Sequence, residues 1–255
     1  MPTQMIWNDR FIYYRRLTGG SDRPCLVFLH EGLGSIAAWK DFPERLCRRT
    51  GCSGLLFDRV GHGRSGPLPA PRDRAYLHWH AQKELPAILE HLIPGQAHLL
   101  VGHSDGGSIA LIYAALQPDH LLGAVTEAAH VFVEPETIAG IEAAVAAYRA
   151  GRLAGLTTYH GEKTDDLFHA WADTWLSSWF QSWDITELLP DVEIPLLVIQ
   201  GKQDAYATDA QVDAIVSGVS GPAAPLFLDD CGHAPHRDRP ETVLKEMAAF
   251  IEARL

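Results

Sequence analysis

Cysteine is scarce in this 255-residue chain: there are four, Cys25, Cys47, Cys52 and Cys231, and none stand at the close spacing of a metal site. A chain this long buries a core large enough to dispense with disulfides, so reduced thiols, no metal, no cofactor and a cytoplasmic setting are expected. Basic residues are also short, with 21 Lys and Arg against 32 Asp and Glu, a formal charge of −11. That balance argues against nucleic acid and anionic membranes as partners. No apolar run is long enough to span a membrane, and no internal repeat or low-complexity tract occurs. The opening "MPTQMIWNDRFIYYRR" lacks the apolar centre of a secretion signal and reads as a hairpin turning at Asn8 and Asp9. What remains is an ordinary globular composition, 47% hydrophobic and 21% charged, sized for one α/β domain with an insertion.

Apolar runs of strand length recur as "CLVFLH" (25–30), "GLLFD" (54–58), "AHLLVG" (97–102), "LLGAVTEA" (121–128), "PLLVIQG" (195–201) and "APLFLDD" (224–230). They are continuous rather than alternating, as parallel strands covered on both faces require. Helical stretches lie between them: "YLHWHAQKELPAILEHLI", "GGSIALIYAAL" stopped by Pro118, and "PETVLKEMAAFIEARL" at the end. Alternating strand and helix predicts a mostly parallel sheet flanked by helices, with ligands at the carboxyl ends of the strands. Residues 133–190 break the alternation. They carry no strand pattern, 136–150 and 165–183 read as helices, and the segment is expected to be a helical cap inserted into a core of 1–132 and 191–255.

"VGHSDGG" places Ser104 between Gly102 and Gly106, directly after a strand and before a helix. Glycines at those positions allow a tight turn, and the helix that follows aims its first amides at any negative charge developing on a substrate. The same letters could also be a glycine-rich loop, so the serine needs partners: a histidine to take its proton and an acid to orient that histidine. Asp204 follows "PLLVIQG", and His233 follows "APLFLDD" in a Gly-His turn. Glu127, at the end of an earlier strand, is the rival acid; Asp229 and Asp230 are too near His233 in sequence to be preferred. His236 reads as packing or capping and His62 as a brace for its loop. His78 and His80, two apart, cannot share a helix face and make a poor metal pair.

The blocks "LHEGLGS", "FDRVGHGRS", "VGHSDGG", "IQGKQD" and "CGHAPH", in the chain order serine, acid, histidine, resemble the α/β-hydrolase superfamily over nearly the whole chain. The resemblance implies an α/β-hydrolase fold and a Ser104–His233–Asp204 triad that cleaves small or medium esters through an acyl-enzyme. The oxyanion hole it implies takes the Asp105 amide and a second amide from Gly32 or Leu33. Counting from His30 to Trp39 favours Gly32, with Glu31 standing where the family usually has glycine. Thioesterases, lactonases, carbon–carbon bond hydrolases and slow-turnover ligand receptors share this scaffold and remain alternatives.

Asp105 and Glu31 would oppose an oxyanion if both pointed at it. Either they bond backbone amides or pair with Arg59 or Arg64, or they meet a cationic substrate. By its aspartate after the serine the chain resembles those superfamily members, of the valacyclovir hydrolase kind, that recognise an ammonium group there. In "DDLFHAWADTWLSSWFQSW" the tryptophans Trp171, Trp175, Trp179 and Trp183 stand four apart and predict one stripe on a helix face. Such a stripe is ordinarily packing. Trp171 and Trp175, with Glu31, Leu33 and His130, are the residues expected to line a substrate pocket.

Overall fold

Asn8 and Asp9 both take left-handed backbone angles, φ 48° and 59°, and join β1 (Thr3–Trp7) to β2 (Arg10–Leu17) as an antiparallel hairpin. A two-residue turn with positive φ at both positions matches the twist of paired strands, which is why Asn-Asp serves here. The computed structural model describes residues 3–68 and 71–255. Met1 and Pro2 of the opening stretch, and Pro69 and Ala70, lie outside the described residues.

After the hairpin come β3 (Cys25–Leu29), α1 (Phe42–Thr50), β4 (Ser53–Phe57), α2 (Tyr76–Trp79), α3 (Leu85–Leu92), β5 (His98–His103), α4 (Asp105–Ala114) and β6 (Leu121–Glu127). Next are α5 (Pro135–Arg149), α6 (Thr157–His160), α7 (Thr164–Leu176), β7 (Leu196–Gly201), α8 (Asp209–Gly218), β8 (Ala223–Leu228), α9 (Pro235–Asp238) and α10 (Pro240–Glu252). The strands form one eight-stranded sheet in the order β1-β2-β4-β3-β5-β6-β7-β8, parallel from β4 to β8. This is the mostly parallel sheet flanked by helices expected from the alternation, and the α/β-hydrolase architecture that the motif resemblance implies.

Every residue of β3, β5 and β7 is buried, so their sequences could be apolar throughout. One face packs Leu26, Phe28, Leu99 and Val101 against α1 and α10 through Leu46, Val243 and Met247. The other packs Val27, Leu29 and Leu100 against the helices α2 to α4. Each such leucine or valine contributes roughly 1.5–3 kcal/mol on burial, so the two layers together fix the sheet that carries the site.

Two helical expectations differ from the structure in detail. The stretch 76–92 is continuous, but residues His80–Glu84 form a π turn between α2 and α3. Pro86 lacks the N–H that an α-helix would need there, and a wider turn absorbs the loss. The helix expected over 165–183 ends at Leu176, where Ser177 turns extended (φ −70°, ψ 142°). Four-residue spacing therefore stops defining a face. Trp171, Trp175 and Trp183 are buried, whereas Trp179 is 44% exposed.

Candidate active site

Ser104 sits between β5 and α4 with φ 53° and ψ −118°, a strained conformation for a residue with a side chain. The turn is possible because its neighbours are glycines. A Cβ on Gly106 would stand 2.0 Å from the Leu29 carbonyl oxygen, and one on Gly102 2.3 Å from the Gly106 oxygen. The Ser104 amide donates to the Glu127 carbonyl at 2.8 Å, and the Ser104 carbonyl accepts from Gly107 and Ser108 at 2.8 and 3.0 Å. The Asp105 and Gly32 amides donate to no acceptor among the described residues.

Asp204 lies past the end of β7 and His233 past the end of β8. The loops are tied together: the Gln203 amide donates to the Cys231 carbonyl at 2.9 Å, and the Cys231 amide donates to Gln203 Oε1 at 2.9 Å. His233 Nδ1–H donates to both Asp204 oxygens, at 2.9 and 2.8 Å, and the Ser104 hydroxyl donates to His233 Nε2 at 3.0 Å. Asp204 is itself held by the Tyr206 amide (2.8 Å) and Gln200 Nε2 (2.7 Å). His103 Nε2 donates to the His233 backbone carbonyl at 2.6 Å, fixing His233 from behind.

Burial alone would pull the His233 imidazole down, but the hydrogen bond and charge of Asp204, with Glu31 and Asp105, outweigh it and hold it above the ordinary histidine range. Asp204 is held below the usual carboxylate range: its burial is offset by His233 and the Tyr206 amide. Glu31 also stays low against its burial, through His103, Arg237, His233 and His236. His103 goes the other way, lowered to about 4 by burial and then by His236, so it is neutral at pH 7.

A cavity of about 200 Å³ opens beside Ser104. Glu31, Gly32, Leu33, Asp105, His130, Trp171 and Trp175, all named from the sequence, line it together with Ser104 and His233. His130 is also bonded, its Nε2 donating to the Tyr206 carbonyl at 3.2 Å. The sequence reading missed His103, Thr137, Ile141, Tyr206, Ala234 and Arg237, which complete the lining. Four of these stand within four residues of Ser104, Asp204 or His233, so proximity in sequence would have flagged them.

The two acids behave differently. Asp105 is buried, its Oδ2 accepts from the Tyr76 hydroxyl at 3.0 Å, and Arg59 lies 3.8 Å from the same oxygen. Glu31 does not pair with Arg59 or Arg64. Arg59 instead donates to the His30 and Glu31 backbone carbonyls, and Arg64 reaches the Tyr13 hydroxyl at 3.2 Å. The Glu31 carboxylate accepts no hydrogen bond among the described residues. Its neighbours in the fold are the Ser104 cavity and Arg237.

Glu127, the rival acid, is engaged by His236, whose Nδ1–H donates to its Oε2 at 2.8 Å, and is thereby kept away from His233. His236 also stacks near Trp39, centroid to centroid 4.6 Å. His62 bridges its own loop to the Gly32 loop through the Val60 and Gly32 carbonyls, both at 3.1 Å. His80 bonds Glu84 one turn on. No group of three His, Cys, Asp or Glu is placed to hold a metal among the described residues.

Residues 26–246 match the model of the "Alpha/beta hydrolase family". A "Proline iminopeptidase" of Lactobacillus helveticus (strain DPC 4571) is 37% identical over 101 residues, 40% of this chain and 34% of that protein. The match thus spans about a third of the length of that curated relative. Among solved structures, MGS-M2, an alpha/beta hydrolase enzyme from a Medee basin deep-sea metagenome library, superposes with a TM-score of 0.80 at 18% identity, covering 99% of this chain and 98% of that one. The enol-lactonase from Burkholderia xenovorans LB400 gives 0.76 at 18% identity, covering 98% and 99%. At these identities the structures speak for the fold. The family match covers most of the chain, and this protein belongs to the alpha/beta hydrolase family.

Proposed function

We propose that this protein is a cofactor-independent serine hydrolase cleaving small or medium carboxylic esters. The carrying observation is the file of hydrogen bonds from Ser104 through His233 to Asp204. Serine is a weak nucleophile until a base takes its proton; His233 Nε2 receives it as Oγ attacks the carbonyl carbon. Asp204 holds the imidazole in the tautomer that accepts at Nε2 and stabilises the imidazolium that forms. Negative charge then grows on the substrate oxygen, and the free amides of Asp105 and Gly32 are the donors for it. His233 returns its proton to the leaving alcohol, and water repeats the cycle to release the acid.

Residues 133–190 act as the cap, supplying Ile141, Trp171 and Trp175 as an apolar roof that selects the acyl group. A second reading is favoured by Glu31, which lines the cavity and whose carboxylate accepts no hydrogen bond among the described residues: hydrolysis of aminoacyl substrates, the amide class named for the iminopeptidase relative. Asp105 is the weaker candidate for that contact because Arg59 and Tyr76 already satisfy it.

Ser104→Ala tests the proposal. It should lower kcat for a nitrophenyl ester by on the order of a thousandfold or more while the circular dichroism spectrum is unchanged, because the three side chains act as a unit. Ester turnover retained in that variant would overturn the assignment. The same assay on an amino acid ester and its des-amino analogue separates the readings. A preference of about tenfold or more for the amino ester, worth 1.4 kcal/mol in transition-state binding, supports the second.

A further inference from the structure

Asp105 sets a problem for the hydrolysis proposed above. Its amide is one of the two donors offered to the oxyanion, yet the same residue carries a carboxylate. That carboxylate lies beside the other donor too: an ideal Cβ on Gly32 would stand 3.2 Å from Asp105 Oδ1. A negative group is therefore packed where negative charge has to grow, and in a site with little water two such charges repel strongly.

A buried chain of hydrogen bonds holds that carboxylate. The Tyr76 hydroxyl donates to Asp105 Oδ2 at 3.0 Å and accepts from Trp175 Nε1 at 2.8 Å. An indole N–H only donates, so the contact with Trp175 fixes the sense of the chain and directs the tyrosine proton at the carboxylate. Arg59 stands 3.8 Å from the same Oδ2. All four side chains are buried, so these bonds polarise one another with little competition from water. Burial, and then the charge of Asp105, push the Tyr76 phenol well above its ordinary range, and its proton stays in place at neutral pH. The three links come from separate elements: Trp175 from α7 in the cap, Tyr76 from α2, and Asp105 from the first position of α4. Trp175 and Asp105 line the Ser104 cavity, and Tyr76 stands behind them.

We propose that Tyr76 is a positioning residue for the reaction at Ser104: it binds the Asp105 carboxylate at Oδ2 and offsets its charge, so that the Asp105 amide can serve an oxyanion. The inference rests on the serine-hydrolase function proposed above. Phenylalanine at this position keeps the ring against Phe180, whose centroid is 5.7 Å away, and loses only the hydroxyl. Asp105 Oδ2 is then left with Arg59, and the less compensated charge bears on the oxyanion as it forms. An effect confined to the transition state lowers kcat and leaves KM alone.

Steady-state kinetics on nitrophenyl acetate, a neutral ester, test it, with Ser104→Ala as the control that establishes the serine-dependent reaction. Tyr76→Phe should lower kcat by about tenfold or more and keep KM within about twofold. Adding Asp105→Asn, which removes the charge at nearly constant size, should restore most of the lost kcat. A hydroxyl that served the fold alone would not be rescued by a second substitution in the same buried chain. Should Tyr76→Phe fail to fold, Trp175→Phe, which removes the donor that aims the tyrosine proton, takes its place, and Asp105→Asn should again recover kcat. Serine-dependent turnover together with an unchanged kcat in Tyr76→Phe, a loss carried by KM, or no recovery in the double variant would overturn the inference and leave the hydrolase function standing. Absence of serine-dependent turnover in the wild type would overturn both.

Discussion

At the scale of single residues, charge around His233 decides the pH at which the proposed base is usable. A raised imidazole pKa means the neutral, proton-accepting form appears only above the ordinary histidine range, so kcat/KM should rise with pH along a limb displaced upward. Glu31 is one of the charges that hold it up. Glu31→Gln should move that limb to lower pH, because one fewer negative charge favours the neutral imidazole. A limb in the same place, measured on a neutral ester, would show that Glu31 is too well screened to matter. His233 was legible in the sequence because a Gly-His turn followed the last strand. The fate of Asp105 was half legible: Arg59 was a named partner, but Tyr76, 29 residues away and on another element, carried no signal pointing to it.

At the scale of elements, the strand-to-helix turn at Ser104 is limited by backbone rather than side chains. Gly106→Ala should cost more than about 3 kcal/mol or prevent folding, since its Cβ would collide with the Leu29 carbonyl, and a strand buried on both faces cannot retreat. Urea unfolding against the wild type measures it. A loss below about 1 kcal/mol would mean that β3 yields more than its packing suggests. The parallel strands were read to within a residue or two because continuous apolar runs bounded by turn residues admit few other folds. The stretch between α5 and α7 was not. Residues 150–163 form only short turns and the four-residue α6, whose local sequence preference is too weak to show a period. It is fixed by contacts instead. His160 Nδ1 accepts the Gly63 amide and its Nε2 donates to the Leu33 carbonyl, both at 2.9 Å, and the Lys163 ammonium donates to the His62 and Ser65 carbonyls.

Across the whole molecule, seven buried histidines, His30, His62, His80, His98, His103, His130 and His160, have imidazoles held below their ordinary range, burial being the leading cause in each. His30 shows why: Nδ1–H donates to the Glu31 carbonyl at 2.8 Å while Nε2 accepts the Arg59 amide at 3.1 Å, and a second proton would set donor against donor. Unfolded histidines protonate near pH 6.5; these cannot. Their contribution is intact above that pH and is lost as pH falls, at about 1.4 kcal/mol per pH unit for each extra proton taken up on unfolding. His233 opposes this, being stabilising on the acid side, but it is one against seven. Unfolding free energy should therefore drop steeply between pH 7 and pH 5, with more than two protons bound on unfolding; a flat profile would contradict the burial assigned to these rings.

Because Ser104, Asp204 and His233 follow three different strands, β5, β7 and β8, a ribosome delivers the serine first of the three and the imidazole last. On the proposed mechanism, a molecule made only as far as β7 carries the serine without the imidazole that would deprotonate it. On that mechanism turnover waits for β8 to dock beside β7, which makes activity a reporter of that one pairing step.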